Sequence, residues 1–234
     1  AAKVGIFGRQ ASGKTTTAMT ASAFWPKTFP NVPKPVVLSD VLHATWADNA
    51  SHTLAVHKIK AGHTLNGIDF IRAAKGNFEV AVIKLLEARE RLYASPAGKA
   101  IRFEVHDTLS ALDRFSTVHY HSRKYGPKTG DGAVIKTQAW GLHNSMHAGY
   151  LGEILLRPPE VVVILLVHQM VIDLDDKTRN ASQKARDKLK QYNNDDVKIR
   201  PAISGSGISG YSDGVWKVRE QTTDIKTNQV LYAQ

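Results

Sequence analysis

AAKVGIFGRQASGKTTTAM, residues 1–19, sets a short apolar run directly before a loop of small residues that ends in Gly13-Lys14-Thr15. Val4 to Phe7 reads as a buried strand, and the Thr/Ala-rich stretch behind the loop reads as a helix. Between them, Gly8 to Thr15 fits the pattern G-x-x-x-x-G-K-[ST]. In that setting the backbone N–H groups of Gly8, Arg9, Gln10, Ala11, Ser12 and Gly13 wrap phosphates, and Lys14, Thr15 and Thr16 close the site. Lys14 supplies a point charge toward the outer phosphates, and the Thr15 hydroxyl completes a magnesium shell. The helix N-terminus adds partial positive charge and further donors. An ordinary glycine turn would need neither the strand before it nor the helix behind it. ATP with Mg2+ is therefore the expected ligand pair.

Composition sets the wider frame. A chain of 234 residues suits one α/β domain with a sizeable core, here taken as residues 1–234. Lys and Arg number 31 against 21 Asp and Glu, for a net charge of +10 and a pI near 9.7. That balance suits a polyanionic partner, although part of it serves the triphosphate itself. The absence of cysteine excludes disulfides, thiolate chemistry and cysteine-based zinc sites. The longest apolar run, Val161 to Val167, is too short to span a bilayer, and no secretory signal is present. The expectation is a cytoplasmic protein with no membrane partner.

Along the chain, Val36-Val37-Leu38 reads as a second strand ending at Ser39-Asp40, and Leu54 to Val56 as a short strand. The spacing of Phe78, Val82, Leu85, Leu86 and Arg89 predicts an amphipathic helix from Phe78 to Tyr93. Ile101 to His106 reads as a strand, Leu109 to His121 and Gln138 to Leu156 as helices, and VVVILLV (161–167) as a core strand. A polar stretch from Asp173 to Arg200 follows. DGVWKVRE (213–220) and QVLYA (229–233) read as strands of a C-terminal hairpin. Strands with continuous apolar runs alternating with helices predict a mainly parallel sheet covered on both faces.

A P-loop requires a carboxylate on a neighbouring strand to hold magnesium through water. Asp107 sits where one is needed, at the C-terminal end of the apolar strand in IRFEVHDTLSAL (101–112), where ligands of such sheets gather. A strand-ending Asp that caps the next helix would look the same without the P-loop. Thr15 and Asp107 are thus the expected metal-holding pair.

From here the chain resembles RecA-type ATPases. HDTLSAL (106–112) is similar to their Walker-B segment, and VVVILLVHQM (161–170) resembles the RecA and hexameric-helicase strand that ends in a polar pair. By that resemblance Gln169 matches the RecA sensor glutamine and His168 the histidine of some helicases, residues that touch the γ-phosphate and signal to a DNA-binding loop. SGSGISGYSDGVWKVRE (204–220) is similar to a late segment of replicative helicases, and QAWG (138–141) resembles phage-encoded RecA-like proteins of this length. The resemblance implies a RecA-like α/β core and ATP hydrolysis coupled to single-stranded DNA in recombination or replication. It also implies a homo-oligomer, hexamer or filament, and for a phage-encoded chain the host cytoplasm.

One departure concerns the water-polarising glutamate that this family carries after its second strand, since no glutamate precedes Glu79. Asp40 is the carboxylate offered in its place, and it could equally just end a strand; Glu104 points to the opposite face of its own strand from Asp107. Lys217 and Arg219 are candidates for the basic residue that a neighbouring subunit contributes, a solvated strand face being the other reading. For DNA, two loops stand out. One holds Arg123, Lys124 and Lys128 around Tyr125; the other holds Lys177, Arg179, Lys184 and Arg186 near Tyr192. Cationic grooves with stacking aromatics suit single strands, and a solvated helix with internal ion pairs would explain the second loop equally. His143-x-x-x-His147 has metal-ligand spacing but lacks the glutamate of the zinc-protease helix, so surface histidines and magnesium alone are expected. Two other functions compete with the DNA-acting ATPase. They are a nucleotide-gated DNA-binding module with little turnover and a P-loop small-molecule kinase, which often sets its Walker-B strand beside the P-loop strand.

Overall fold

The computed structural model describes residues 2–8, 12–20, 36–47, 54–55, 58–156, 160–168, 214–217, 221–223 and 230–232. The strands are β1 (Lys3–Gly8), β2 (Val36–Thr45), β3 (Ile59–Asn66), β4 (Phe103–Asp107), β5 (Val162–His168), β6 (Gly214–Lys217), β7 (Gln221–Thr223) and β8 (Val230–Tyr232). The helices are α1 (Lys14–Met19), α2 (Gly67–Ala73), α3 (Phe78–Ala94), α4 (Leu109–Tyr120) and α5 (Lys136–Leu155). β7 and β8 form an antiparallel hairpin, and the other strands make one six-stranded sheet in the order β3-β2-β4-β5-β1-β6. Every neighbouring pair in that sheet is parallel.

Burial on both faces explains the unbroken apolar sequence of β5. Val163, Leu165 and Val167 enter a core with Leu109, Leu112, Leu151 and Ile154. Ile164 and Leu166 point the other way, into a core with Ile6, Ala18, Met19 and Val41. The helices start where short polar side chains take up loose backbone donors. Asn66, Asn77 and Thr108 accept from the N–H groups of Ile68, Val80 and Ala111. Gly67 begins α2 against the Trp46 ring, and a Cβ there would lie 2.2 Å from a ring carbon. β5 lies between β1, the P-loop strand, and β4, the strand of Asp107. This covered parallel sheet, with one strand separating those two, is an α/β core of the RecA-like P-loop type.

Several boundaries differ from the sequence reading. β2 continues to Thr45, because a register irregularity between Leu38 and Leu42 carries the strand past the polar Ser39-Asp40 pair. Leu54 and Ala55 are helical rather than extended. β6 does not join the terminal hairpin but pairs with β1 at the sheet edge.

A polar network crosses the core on the α3/α5 side of β4. Arg89, fully buried, donates to both carboxylate oxygens of Glu104, one bond being 2.8 Å, and its Nη2 also reaches the Ile154 carbonyl at 3.2 Å. The Tyr93 hydroxyl donates to Glu104 at 2.8 Å, and His106 Nε2 lies 2.9 Å from the same carboxylate. His106 Nδ1 is 2.8 Å from the Tyr150 hydroxyl, which accepts from the Trp46 indole at 3.2 Å. Burial alone would raise Glu104, but its bonds to His106 and Arg89 hold it down at about 2. Burial keeps His106 below its ordinary value, which leaves the imidazole neutral between a carboxylate and a phenol.

The same contacts fix the course of α5. The Arg89 guanidinium joins the Ile154 carbonyl to Glu104, and Tyr150 meets His106, so the N-terminal half of α5 extends past the carboxyl edge of the sheet. α4 runs antiparallel to it, with Ser116 against His143 and His121 against Trp140. The loop joining them therefore lies on the same side of the sheet as Gly8 and Asp107. Among the described residues, no helix is long and apolar enough to cross a membrane.

Candidate nucleotide site

The carboxyl ends of β1, β4, β2 and β5 converge on one site. Gly13 adopts a left-handed conformation, φ 86°, where the loop turns into α1; a side chain would have room there but not an easy backbone. Lys14 is only 4% exposed, and its ammonium donates to the Gly8 carbonyl at 3.0 Å and the Ser12 hydroxyl at 3.4 Å. Burial lowers its pKa, and the Asp107 carboxylate pulls it back up. The Thr15 hydroxyl donates to Asp107 Oδ2 at 2.8 Å, across 92 positions of sequence. Asp107 precedes a cis peptide bond to Thr108.

His43, two residues before the end of β2, places Nε2 3.2 Å from the same Asp107 oxygen, deeply buried. Protonated at Nε2, it donates a second bond and fixes the carboxylate's orientation. At the end of β5 the His168 backbone N–H donates to the Ser110 hydroxyl at 2.9 Å. The His168 pKa is lowered by burial and by Lys14, and Asp107 opposes that shift. A hydroxyl whose proton points at a carboxylate keeps its oxygen lone pairs for a hard cation, and carboxylate and hydroxyl oxygens are the ligands magnesium takes. Thr15 and Asp107 fit that ion.

Gly8, Ser12, Gly13, Lys14, Thr15 and Thr16 thus stand beside Asp107 and His168, whereas Arg9, Gln10, Ala11 and Gln169 lie outside the described residues. Asp40 requires correction. It sits mid-strand, its carbonyl accepting the Arg102 N–H at 2.8 Å, while Thr45 is the β2 residue level with Asp107. Five residues of strand, about 15 Å, separate Asp40 from that level. The sequence placed it at a strand end because Ser39-Asp40 looked like punctuation. The described end of β2, Thr45 to Ala47, carries no carboxylate. Glu104 faces away from the site into the Arg89 network.

Sequence reasoning passed over His43 and Ser110. Only the pairing of Thr45 with Asp107 reveals His43, since a lone histidine in an apolar strand carries no signal of its own.

Lys217 closes the edge strand β6, its backbone level with Phe7, and Arg219 lies outside the described residues. Arg123, Lys124 and Lys128 are exposed on the α4–α5 loop. Tyr125 is not a free stacking platform, since its ring lies on His119 at 4.5 Å and Lys124 Nζ sits 4.8 Å from its centroid. Lys177, Arg179, Lys184, Arg186 and Tyr192 lie outside the described residues. The expectation of surface histidines fails at α5, because His143 and His147 are both buried between α4 and α5.

No protein-family profile and no curated protein matches the sequence. Among solved structures, the chain is similar to a prototypical ATPase from the type III secretion system of pathogenic bacteria. The TM-score is 0.40 at 12% identity, over 81% of this chain and 49% of that one. It is also similar to the flagellar accessory protein FlaH from Methanocaldococcus jannaschii, with TM-score 0.33 and 9% identity, over 98% of this chain and 74% of that one. The chain spans about half the length of the secretion ATPase.

Proposed function

We propose that the chain is a magnesium-dependent ATPase of the RecA type that acts on single-stranded DNA as a homo-oligomer, hexamer or filament, in phage recombination or replication. The observation that carries this reading is the 2.8 Å bond between Thr15 and Asp107 beside the buried Lys14. Thr15 and Asp107 would hold Mg2+, which when bound neutralises charge on the β- and γ-phosphate oxygens. Lys14 meets the outer phosphates, and His43 keeps Asp107 in place. Water attacks the γ-phosphorus in line, the bond to the β-phosphate oxygen breaks, and ADP and phosphate leave. His168, at the end of β5, and Gln169, next in sequence, would pass γ-phosphate loss to the stretch that follows. The strand order supports hydrolysis over small-molecule kinase chemistry, because β5 stands between β1 and β4.

The DNA partner is supported by the net charge of +10 and by Arg123, Lys124 and Lys128 on the carboxyl-edge side, with Lys177, Arg179, Lys184 and Arg186 following in sequence. The edge position of β6 supports contributions from Lys217 and Arg219 to a neighbouring subunit. The mid-strand position of Asp40 favours a second reading, a nucleotide-gated binding module with little turnover. In the hydrolytic reading the water is oriented by Asp48, the first carboxylate in sequence after the end of β2.

Steady-state phosphate release, measured with and without single-stranded DNA, separates these readings. The expected result is release that DNA raises, within about twofold of wild type in Asp40→Asn and reduced at least about a hundredfold in Asp48→Asn. Release no greater than the Lys14→Ala background leaves the gated module. Release indifferent to DNA removes the nucleic-acid partner.

A further inference from the structure

We infer that Asp113 on α4 and His143 and His147 on α5 form a transition-metal site, best matched to zinc, that clips the two helices together. One ligand atom from each of the three buried residues can be chosen so that all lie within 4.8 Å of one another. His143 Nε2 is 3.1 Å from Asp113 Oδ1, and His147 Nε2 is 3.9 Å from the same oxygen. Ligand atoms at the corners of a zinc tetrahedron, each about 2.0–2.1 Å from the ion, lie about 3.3 Å apart, so the trio needs only small side-chain rotations to close on one. His143 and His147 stand one helical turn apart on the same face of α5, which lets both rings reach a single ion.

Two further observations favour a ligand over a plain hydrogen-bonded cluster. His147 is 1% exposed, yet among the described residues neither of its ring nitrogens has a hydrogen-bond partner. Native interiors rarely leave a buried imidazole so. His143 has the arrangement of a metal-bound histidine, since its Nδ1 lies 3.0 Å from the Ser116 hydroxyl, which would hold the ring with Nε2 toward the ion. Imidazole nitrogen with one carboxylate oxygen suits zinc and its transition-metal neighbours rather than magnesium. Three protein ligands leave the fourth tetrahedral position to water. The site draws its residues from α4 and α5, none of them from the phosphate loop, and needs no nucleotide. It is independent of the ATPase reading.

The test uses the full chain, stripped with chelator and titrated with zinc in the absence of nucleotide, metal being counted by mass spectrometry after gel filtration. Wild type is expected to retain about one zinc per chain, and so is Asp107→Asn, which removes the carboxylate assigned to Mg2+. His147→Ala and Asp113→Asn are expected to weaken binding at least about a hundredfold, and Ser116→Ala about tenfold, with circular dichroism reporting folding. Should the ligand variants fail to fold, cobalt titration of wild type and Ser116→Ala decides, a tetrahedral visible band that saturates later in Ser116→Ala being the expected result. A wild-type chain that holds no zinc or gives no such cobalt band, or a stoichiometry and affinity unchanged in folded His147→Ala and Asp113→Asn, overturns the inference.

Discussion

Lys14→Ala is expected to release phosphate from ATP at no more than about a hundredth of the wild-type rate, the usual loss when one preorganised charge-stabilising group is removed. Lys14 belongs to the loop, and its ammonium already lies against the Gly8 carbonyl and Ser12 hydroxyl that a phosphate would adjoin. Developing charge on the transferring phosphoryl group has to be met in place, and alanine offers nothing there. Stability should move the other way or not at all. Burial lowers the pKa of this ammonium, so the folded chain holds the charge at a cost that the substitution removes. Phosphate release and thermal unfolding of the same preparation check both halves. An alanine variant that hydrolyses ATP as wild type does would show that the loop is not the catalytic site.

Arg89→Met is expected to cost about 3–5 kcal/mol of folding stability, the typical penalty for leaving one member of a buried ion pair alone. Domains of this kind are stable by only about 5–15 kcal/mol, so the variant approaches unfolding at ambient temperature. The cause is Glu104, fully buried and deprived of two guanidinium bonds while Tyr93 and His106 remain. Adding Glu104→Gln to Arg89→Met should recover most of the loss, because the stranded charge is gone. The pH dependence carries a sign. Glu104 falls from its ordinary 4.5 to about 2 in the folded chain, so it contributes stability above pH 4.5 that disappears as pH falls toward 2. Without Arg89 the folded value rises and that acid-sensitive contribution shrinks. Urea unfolding of the single and double variants across this range measures both effects. A folded Arg89→Met chain as stable as wild type would mean that the ion pair contributes nothing net.

The P-loop and β5 were legible because each is a local signal: a fixed spacing of glycines and lysine, and an apolar run that only a sheet covered on both faces explains. Asp107 was legible through the P-loop, which demands a carboxylate. β2 was misread where a polar pair and a register irregularity imitate a strand end, and that error displaced Asp40 by half a strand. His43 and Ser110 owe their places to strand and helix pairing, which no window along the chain contains. Arg89 fitted the apolar stripe of α3 by spacing, while its partner Glu104 sits on another element. The burial of His143 and His147 was hidden because apolar and polar residues are spread around α5 without a clean stripe.

A crystal structure of the chain with Mg2+ and a non-cleavable ATP analogue tests the central claim most directly. The account predicts the β- and γ-phosphates against the backbone amides of Gly8 to Thr15, with the ion held by the Thr15 hydroxyl and, through water, by Asp107. An analogue bound elsewhere, or a Lys14 ammonium still on the Gly8 carbonyl and Ser12 hydroxyl at saturating analogue, would contradict it.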